Sequence, residues 1–375
     1  MAEFWRYGPT PIPGPKIGEF ARELEELGWN GLAMGENNKQ PDPYAMLAIA
    51  AASTTTLKLG TATAVPIRHP LLAAISMATI QGLSGGRARF SIGRGDSAAK
   101  ALQQKPMSID EFETYLRRLQ AYLHREEVEV DGNLTTIAGL AIVDPSLEVT
   151  RPPIDAAATG PRMIELAVKV ADSVAFAVGA DADRLRSCIE LARTTSERIG
   201  RDFSTFGLGC YVQVAVSENG DRTQAREAIR ALAMTFARFS AYEGKPLSDV
   251  PEADRAQIER AAAALDGKFR SISINFAPKP GGPPGELEFF RDSGGVDDEF
   301  IDRFAIVGPP EYCAERLQEL IELGLERIYI GTRFMGTDVG ETNTRRVGRE
   351  VLPLLRGARP AVGEAAAGRS GTTGS

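Results

Sequence analysis

The sequence predicts an α/β chain of the (β/α)₈ barrel class, and three observations carry that reading. Short apolar runs alternate with segments of helical periodicity. A unit of helix end, glycine and buried strand recurs near both ends of the chain. About eight such strand–helix units fit into the 375 residues, the size of a barrel with insertions. An open, doubly wound sheet is the other arrangement that this order allows, because pattern alone does not show closure.

The elements follow in order. A first strand lies near Phe4 to Tyr7, and Ile17 to Leu27 has apolar residues at helical spacing (Ile17, Phe20, Ala21, Leu24, Leu27) before Gly28 ends the helix. Gly31 to Met34 is a short apolar run suited to a buried parallel strand. A helix over about Pro43 to Ser53, a strand Lys58 to Ala64, a helix over about Pro70 to Leu83 and a strand Ala88 to Ile92 continue the alternation. Ser108-Ile109-Asp110-Glu111 is a capping box, in which the serine and the glutamate each satisfy an otherwise unpaired backbone N–H. A helix therefore runs from there to about His124.

The second half repeats the theme. Pro153 to Ala158 is a strand, and Gly160-Pro161 opens a helix with proline where its missing N–H costs nothing. Ser173 to Val178 is a strand, Asp181 caps a helix to about Ile199, and Phe206 to Val216 is a strand. Helices follow over about Arg222 to Tyr242 and Glu252 to Leu265. Residues 276 to 297 contain the run Ala277 to Gly285, too rich in proline and glycine for a regular element, and read as an insertion loop. A helix from Pro310 to Leu323 and a strand Arg327 to Gly331 complete the order. The segments Leu24 to Met34 and Leu320 to Ile330 are the repeated unit. One domain over 1–356, with an insertion region at about 236–300, and a disordered Gly/Ala/Ser/Thr-rich tail over 357–375 are expected.

Composition narrows the function. Fifty acids against 43 bases give a net charge of −7, which argues against a partner with a phosphate backbone. Three scattered cysteines (Cys188, Cys210, Cys313) and two histidines are too few for a disulfide framework or a metal centre. No run reaches the roughly 18 apolar residues of a membrane span, and no basic-then-apolar leader opens the chain. A cytoplasmic enzyme acting on a small molecule, with no metal, nucleic acid or membrane partner, is expected.

Candidate site residues cluster after strands. Gly93-Arg94-Gly95-Asp96-Ser97-Ala98 satisfies the dinucleotide pattern G-x-G-x-x-G/A, yet it follows the fourth strand, and a helix stands where the acid-bearing strand should come. In a barrel the same glycines let the backbone approach a ligand at a strand C-terminus, with Asp96 and Ser97 offering polar contacts. Glu36 and Asn37 end the second strand, which puts an acid at the catalytic face or in a solvated loop. Arg68 and His69 follow the third strand. His69 is suited to acid chemistry and equally to a structural hydrogen bond, and Arg68 to an anionic ligand or a surface ion pair.

Four stretches then make the chain resemble the bacterial luciferase-like superfamily of flavin- and deazaflavin-dependent oxidoreductases, nearest to its methylenetetrahydromethanopterin reductase branch. They are Leu59 to Pro70, Leu83 to Arg87 running into Gly93 to Ser97, Ala156 to Arg162, and Val307 to Leu317. The resemblance implies a TIM barrel with insertion segments over its C-terminal face, and coenzyme F420 as cofactor, with FMN the alternative. It implies a non-prolyl cis bond at Ala62–Thr63 behind the cofactor ring, with Arg94 and Ser97 nearby. Backbone around Ala157, Ala158, Thr159 and Gly160, with Val178, Gly179 and Ala180, would hold the ribityl-phosphate region. Relatives using F420 often carry Asp-His where this chain has Glu36-Asn37, which leaves Glu36, Asp96, His69 or a water as proton donor. Where some relatives have basic residues for the phosphate, Val178 and Ala180 stand here. The activities implied are hydride transfer between F420 and a small organic substrate, or an FMN-dependent monooxygenase fed by a separate reductase. A non-catalytic flavin-binding relative is a third reading, and a homodimer is expected.

Overall fold

The computed structural model describes residues 2–8, 14–37, 41–95, 99, 102–140, 150–227, 229–230, 255–256, 259, 297–332 and 337–357. Its parallel strands are β1 (Glu3–Tyr7), β2 (Gly31–Met34), β3 (Lys58–Ala64), β4 (Ala88–Ile92), β7 (Ile154–Ala158), β8 (Ser173–Phe176), β9 (Gly207–Val216), β10 (Ile306–Gly308) and β11 (Arg327–Gly331). Strands β5 (Val128–Val130) and β6 (Asn133–Thr135) form a separate antiparallel hairpin. The parallel order runs β9–β11–β1–β2–β3–β4–β7–β8, and β8 pairs back onto β9, so the ring is closed. That closure decides between the barrel and the open sheet. The two copies of the repeated unit flank β1: β2 pairs with it on one side and β11 on the other.

Helices cover the outside: α1 (Ile17–Glu26), α2 (Pro43–Ser53), α3 (Pro70–Leu83), α4 (Ile109–Leu123), α5 (Pro161–Val170), α6 (Ala182–Ile199), α7 (Asp298–Phe304), α8 (Pro310–Glu322), α9 (Thr337–Arg346) and α10 (Leu352–Leu355). The Ser108 capping box is present as the sequence requires, with the serine Oγ accepting from Glu111 N–H and the Glu111 carboxylate accepting from Ser108 N–H.

Inside the ring, the strand registers stack the side chains in layers contributed by alternate strands. From the N-terminal end these are Gly31, Arg89, Ser173 and Arg327, then Trp5, Gly60, Asp155 and Gly209, then Ala33, Ser91, Ala175 and Tyr329, then Tyr7, Ala62, Ala157 and Tyr211. Volume is split unevenly. Strands β1, β9 and β11 carry Trp5, Tyr7, Tyr211 and Tyr329, while β2, β3, β7 and β8 carry mostly glycine and alanine. Trp5 lies where a side chain on Gly31 would stand: a Cβ there would come within 2.3 Å of its ring. The aromatic rings pack on one another, Tyr211 on Tyr329 at 4.8 Å and Trp5 on Tyr329 at 5.6 Å between centroids.

Asp155 sits fully buried beneath these rings. Its carboxylate accepts from Arg327 Nε (3.1 Å), Arg89 Nη1 (2.6 Å), Tyr329 Oη (2.6 Å) and Ser173 Oγ, so one anion joins β4, β7, β8 and β11. Burial alone would push this carboxyl up. The two guanidiniums and the hydroxyl donors outweigh it and hold the carboxyl well below the usual carboxylate range.

Three described features were not expected from the sequence. The Asp131-Gly132 hairpin turn, with both residues at positive φ, joins β5 to β6. Strand β10 with its preceding α7, and the C-terminal helices α9 and α10, are the others. Most of the insertion expected at about 236–300 lies outside the described residues, as do most of the helices expected over Arg222 to Tyr242 and Glu252 to Leu265 and the tail from 358 onward.

Asp155→Asn should lower the unfolding free energy by about 3–5 kcal/mol, because Arg327 is left as an uncompensated buried charge. Because the carboxyl is held low in the fold, its contribution is present above the unfolded-chain value near ~3.9 and is lost as pH falls toward the folded value. Urea melts of the wild type from pH 7 to pH 2.5 should therefore show stability falling below about pH 4. In Asp155→Asn the fall should be shallower. Identical acid limbs in the two proteins would contradict the assignment.

Candidate cofactor site

The C-terminal mouth of the barrel is open because its last interior layer has almost no side-chain volume. One step beyond Tyr7, Ala62, Ala157 and Tyr211, the strand ends supply Gly35, Gly93, Ala177 and Gly331. The result is a shallow cradle in which Tyr7, Ala62, Thr63, Gly93, Ala157, Thr159 and Ala177 are all half-buried. The pairing of β3 with β4 shifts between Thr61 and Ala64, and the Ala62–Thr63 peptide bond within that shift is cis. A Cβ on Gly93 would lie 3.6 Å from Thr63 Oγ1 and 3.7 Å from Ala157 Cβ, so these residues from β3, β4 and β7 form one continuous wall.

A charged rim stands beside β2 and β3. Glu36 is buried, and both carboxylate oxygens are engaged: Oε1 accepts from Arg68 Nε at 2.5 Å and Oε2 from Val65 N–H at 3.1 Å. Arg68 also pairs with Asp42 and lies over the Tyr44 ring at 4.8 Å. Burial disfavours the charge on Arg68, but the Glu36 and Asp42 carboxylates outweigh it and raise its pKa. The Tyr44 and Tyr115 phenols beside this pair are pushed up, by burial first and by the Glu36 charge second, so both stay protonated. The rim thus presents a fixed ion pair flanked by neutral hydroxyls.

The other sequence-selected residues are distributed unevenly about this cradle. Asn37 is half-buried just after β2, one residue beyond Glu36. His69 is exposed and is the N-cap of α3, its Nδ1 accepting from Leu71 N–H at 3.3 Å. Arg94 Nε donates to Met107 O at 2.6 Å, tying the end of β4 to the segment before α4. Thr159 and Gly160 lead into α5, where Gly160 is the N-cap and Pro161 the first helical residue. Ala158 and Val178 are buried outside the barrel wall, and Gly179 lies under the Phe304 carbonyl at the end of α7. Asp96 and Ser97 lie outside the described residues.

Two mouth residues escaped the sequence reading. Tyr7 ends β1 and Gln213 lies in β9, and the Gln213 Nε2 donates to Tyr7 Oη at 2.6 Å. Strand β11 lies between them, and the registers align Tyr7, Gly331 and Gln213 in one row. A polar residue within the apolar run of β9 was the available signal. Its partner, 206 positions away, could be found only from the closed ring.

Comparison with known proteins agrees with this architecture. The model of the luciferase-like monooxygenase family matches residues 4–327. The chain is 24% identical over 345 residues to the 5,10-methylenetetrahydromethanopterin reductase of Methanolobus tindarius, spanning 91% of this chain and 96% of that one. The solved coenzyme F420 dependent tetrahydromethanopterin reductase from Methanopyrus kandleri superposes with a TM-score of 0.68 at 20% identity, covering 94% of this chain and 99% of that one. The oxygenating constituent of 3,6-diketocamphane monooxygenase from Pseudomonas putida, solved with FMN, gives 0.58 at 18% identity over 94% of this chain and 99% of that one. With a matching family model over most of its length and a closed barrel of the same architecture, the chain belongs to the luciferase-like monooxygenase family.

Proposed function

We propose that the protein is a coenzyme F420-dependent oxidoreductase that moves a hydride between the deazaflavin and a small organic substrate. The observation that carries this reading is the mouth cradle, whose uncharged wall of Ala62, Thr63, Gly93 and Ala157 suits the face of a planar ring. The reductase relatives favour F420 as the ring. An FMN-dependent monooxygenase is the second reading, favoured by the family's name and by the FMN-bound neighbour.

Within this reading the protein positions and desolvates, and the bound deazaflavin supplies the hydride-exchanging carbon. Ala62, Thr63, Gly93 and Ala157 set the ring plane, and the small layer above Tyr7 leaves the depth it needs. The N-terminus of α5, entered through Thr159 and Gly160, attracts a phosphate by its dipole; Pro161 carries no N–H there, and Met163 and Ile164 N–H donate to Gly160 O. At the rim Arg68 is shared between the Glu36 and Asp42 carboxylates, so it offsets most of their repulsion toward an anionic cofactor but leaves one net negative charge. Tyr7 keeps its proton because burial pushes its phenol up, which leaves a hydroxyl donor at the cradle.

We place the protein in the cytoplasm as a homodimer. Cys188, Cys210 and Cys313 form no disulfide with one another, as a reducing compartment favours. Helices α2 and α3 contain no charged residue, and Ile49, Leu72 and Leu83 are exposed on them, Leu72 by 56%. An uncharged surface meets a second copy of itself without repulsion, as a twofold interface requires.

Fluorescence titration with F420 and with FMN tests the cofactor: F420 should bind, and tight FMN binding with no F420 affinity would replace the first reading by the second. Gly93→Leu should weaken ring binding by about ten- to hundredfold, since the added side chain occupies the cradle. Gly93→Ala, whose methyl meets only ordinary contacts, should stay folded and bind more nearly as the wild type. In sedimentation velocity the wild type should run as a dimer and Leu72→Glu as a monomer; a monomeric wild type would remove the interface.

A further inference from the structure

The opposite end of the barrel carries a second concave surface. A bowl of about 420 Å³ opens there, within the size range of small-molecule sites. Its floor is Arg89, Ser173 and Arg327 of the first interior layer, and exposed Ser204, Thr205 and Glu326 stand at its rim. The floor keeps donors that Asp155 does not use. Arg327 gives Nε and Nη2 to Asp155, and Arg89 gives Nη1 to Asp155 and to Ser173 Oγ. Arg327 Nη1, and Nε and Nη2 of Arg89, have no hydrogen-bond partner among the described residues. None of these three atoms is sealed from solvent, although the Arg327 side chain is only 4% exposed.

The rim offers the reverse chemistry. Ser204 Oγ donates to Asp202 Oδ1 and Thr205 Oγ1 to Asp202 O, both at 2.8 Å, so each hydroxyl oxygen is left as an acceptor. The Glu326 carboxylate has no hydrogen bond or ion pair among the described residues. A Cβ on Gly207 would lie 3.4 Å from Arg327 Nη2 and 3.5 Å from Glu326 Oε2, so the glycine keeps the space beside both charges open. Arg151 and Asp172, also in the wall, satisfy each other through two bonds of 2.8 and 2.5 Å. Two arginines against Asp155 therefore leave one positive charge at the floor, and Glu326 sets one negative charge at the rim. A simple anion would gain the first and be repelled by the second. A ligand carrying an anionic and a cationic group side by side matches both.

We propose that this bowl binds a compact zwitterion of the α-amino acid class. Its carboxylate lies on the Arg89 and Arg327 N–H groups, and its ammonium donates to Glu326 and the Ser204 and Thr205 hydroxyl oxygens. The site stands at the far end of the barrel from the cofactor cradle and does not depend on the cofactor reading.

Saturation-transfer NMR titration of the full chain tests it with three probes: L-alanine, propionate, which lacks the ammonium, and ethylamine, which lacks the carboxylate. Alanine should bind at least about tenfold more tightly than either, since each charged hydrogen bond is lost in one of them. In Glu326→Gln the alanine affinity should fall to near that of propionate. Arg89→Met should weaken alanine and propionate together. Equal binding of alanine and propionate by the wild type would overturn the proposal, as would no binding of alanine. An alanine preference that survives in Glu326→Gln would overturn it too. Glu326 is exposed and holds no partner, so this variant decides the matter even if Arg89→Met does not fold.

Discussion

The barrel depends on a single buried carboxylate. Asp155 has no exposed surface, and an arginine and a serine from the two neighbouring strands β4 and β8 converge on it with an arginine and a tyrosine from β11 across the barrel. A charge at that depth is stable only while its partners stay in place, so the strand registers around β4, β7, β8 and β11 are fixed together. Tyr329 transmits this upward: its hydroxyl is held by Asp155, Tyr211 stacks on its ring, and the Tyr211 hydroxyl donates to Ser91. Tyr7 packs edge-on against Tyr211 at 5.2 Å. The height of the cradle floor is thus set from the far end of the barrel by a column of aromatic rings.

The uneven division of volume explains how one barrel holds both a solid core and an open mouth. Large rings on three strands fill the interior to the level of Tyr7, and small residues on the facing strands give them room. Above that level the strand ends at Gly35, Gly93, Ala177 and Gly331 carry almost no side chain, and the space is left to a ligand. The same device recurs at a smaller scale twice. Trp5 fills the place of a side chain on Gly31, and Gln213 fills the place of one on Gly331.

Most of the fold was legible in the sequence because buried parallel strands are short apolar runs between punctuating residues. Lys58–Ala64, Pro70–Leu83 and Arg327–Gly331 begin and end where glycine, proline or a polar cap requires. Strand β10 was hidden by its three-residue length and by the insertion before it, and the β5–β6 hairpin by its polar, alternating pattern around Asp131-Gly132. The site divided along the same line. Strand-end residues such as Ala62, Thr63 and Ala157 are singled out by the family likeness alone. The engagement of Glu36 with Arg68 and Val65, and the reach of Gln213 to Tyr7, depend on how far each strand is shifted against the next. A one-dimensional pattern does not contain that shift.

Strand β9 also bears on how such a barrel can change over time. Its upper end, Val214 to Val216, pairs with β10, and on the side that β11 no longer covers, Asn343 binds Val214 O through Nδ2 and Val216 N–H through Oδ1. The side-chain amide acts there as a one-residue substitute for a neighbouring strand. The chain that leaves after Val216 and returns at Ile306 therefore starts and finishes at two adjacent, clamped points, reinforced where Arg226 pairs with Asp302. Because the distance between its ends is set by the scaffold, lengthening or replacing that segment adds little closure entropy. A change in that segment's length leaves its clamped ends, and the barrel strands that carry them, in place.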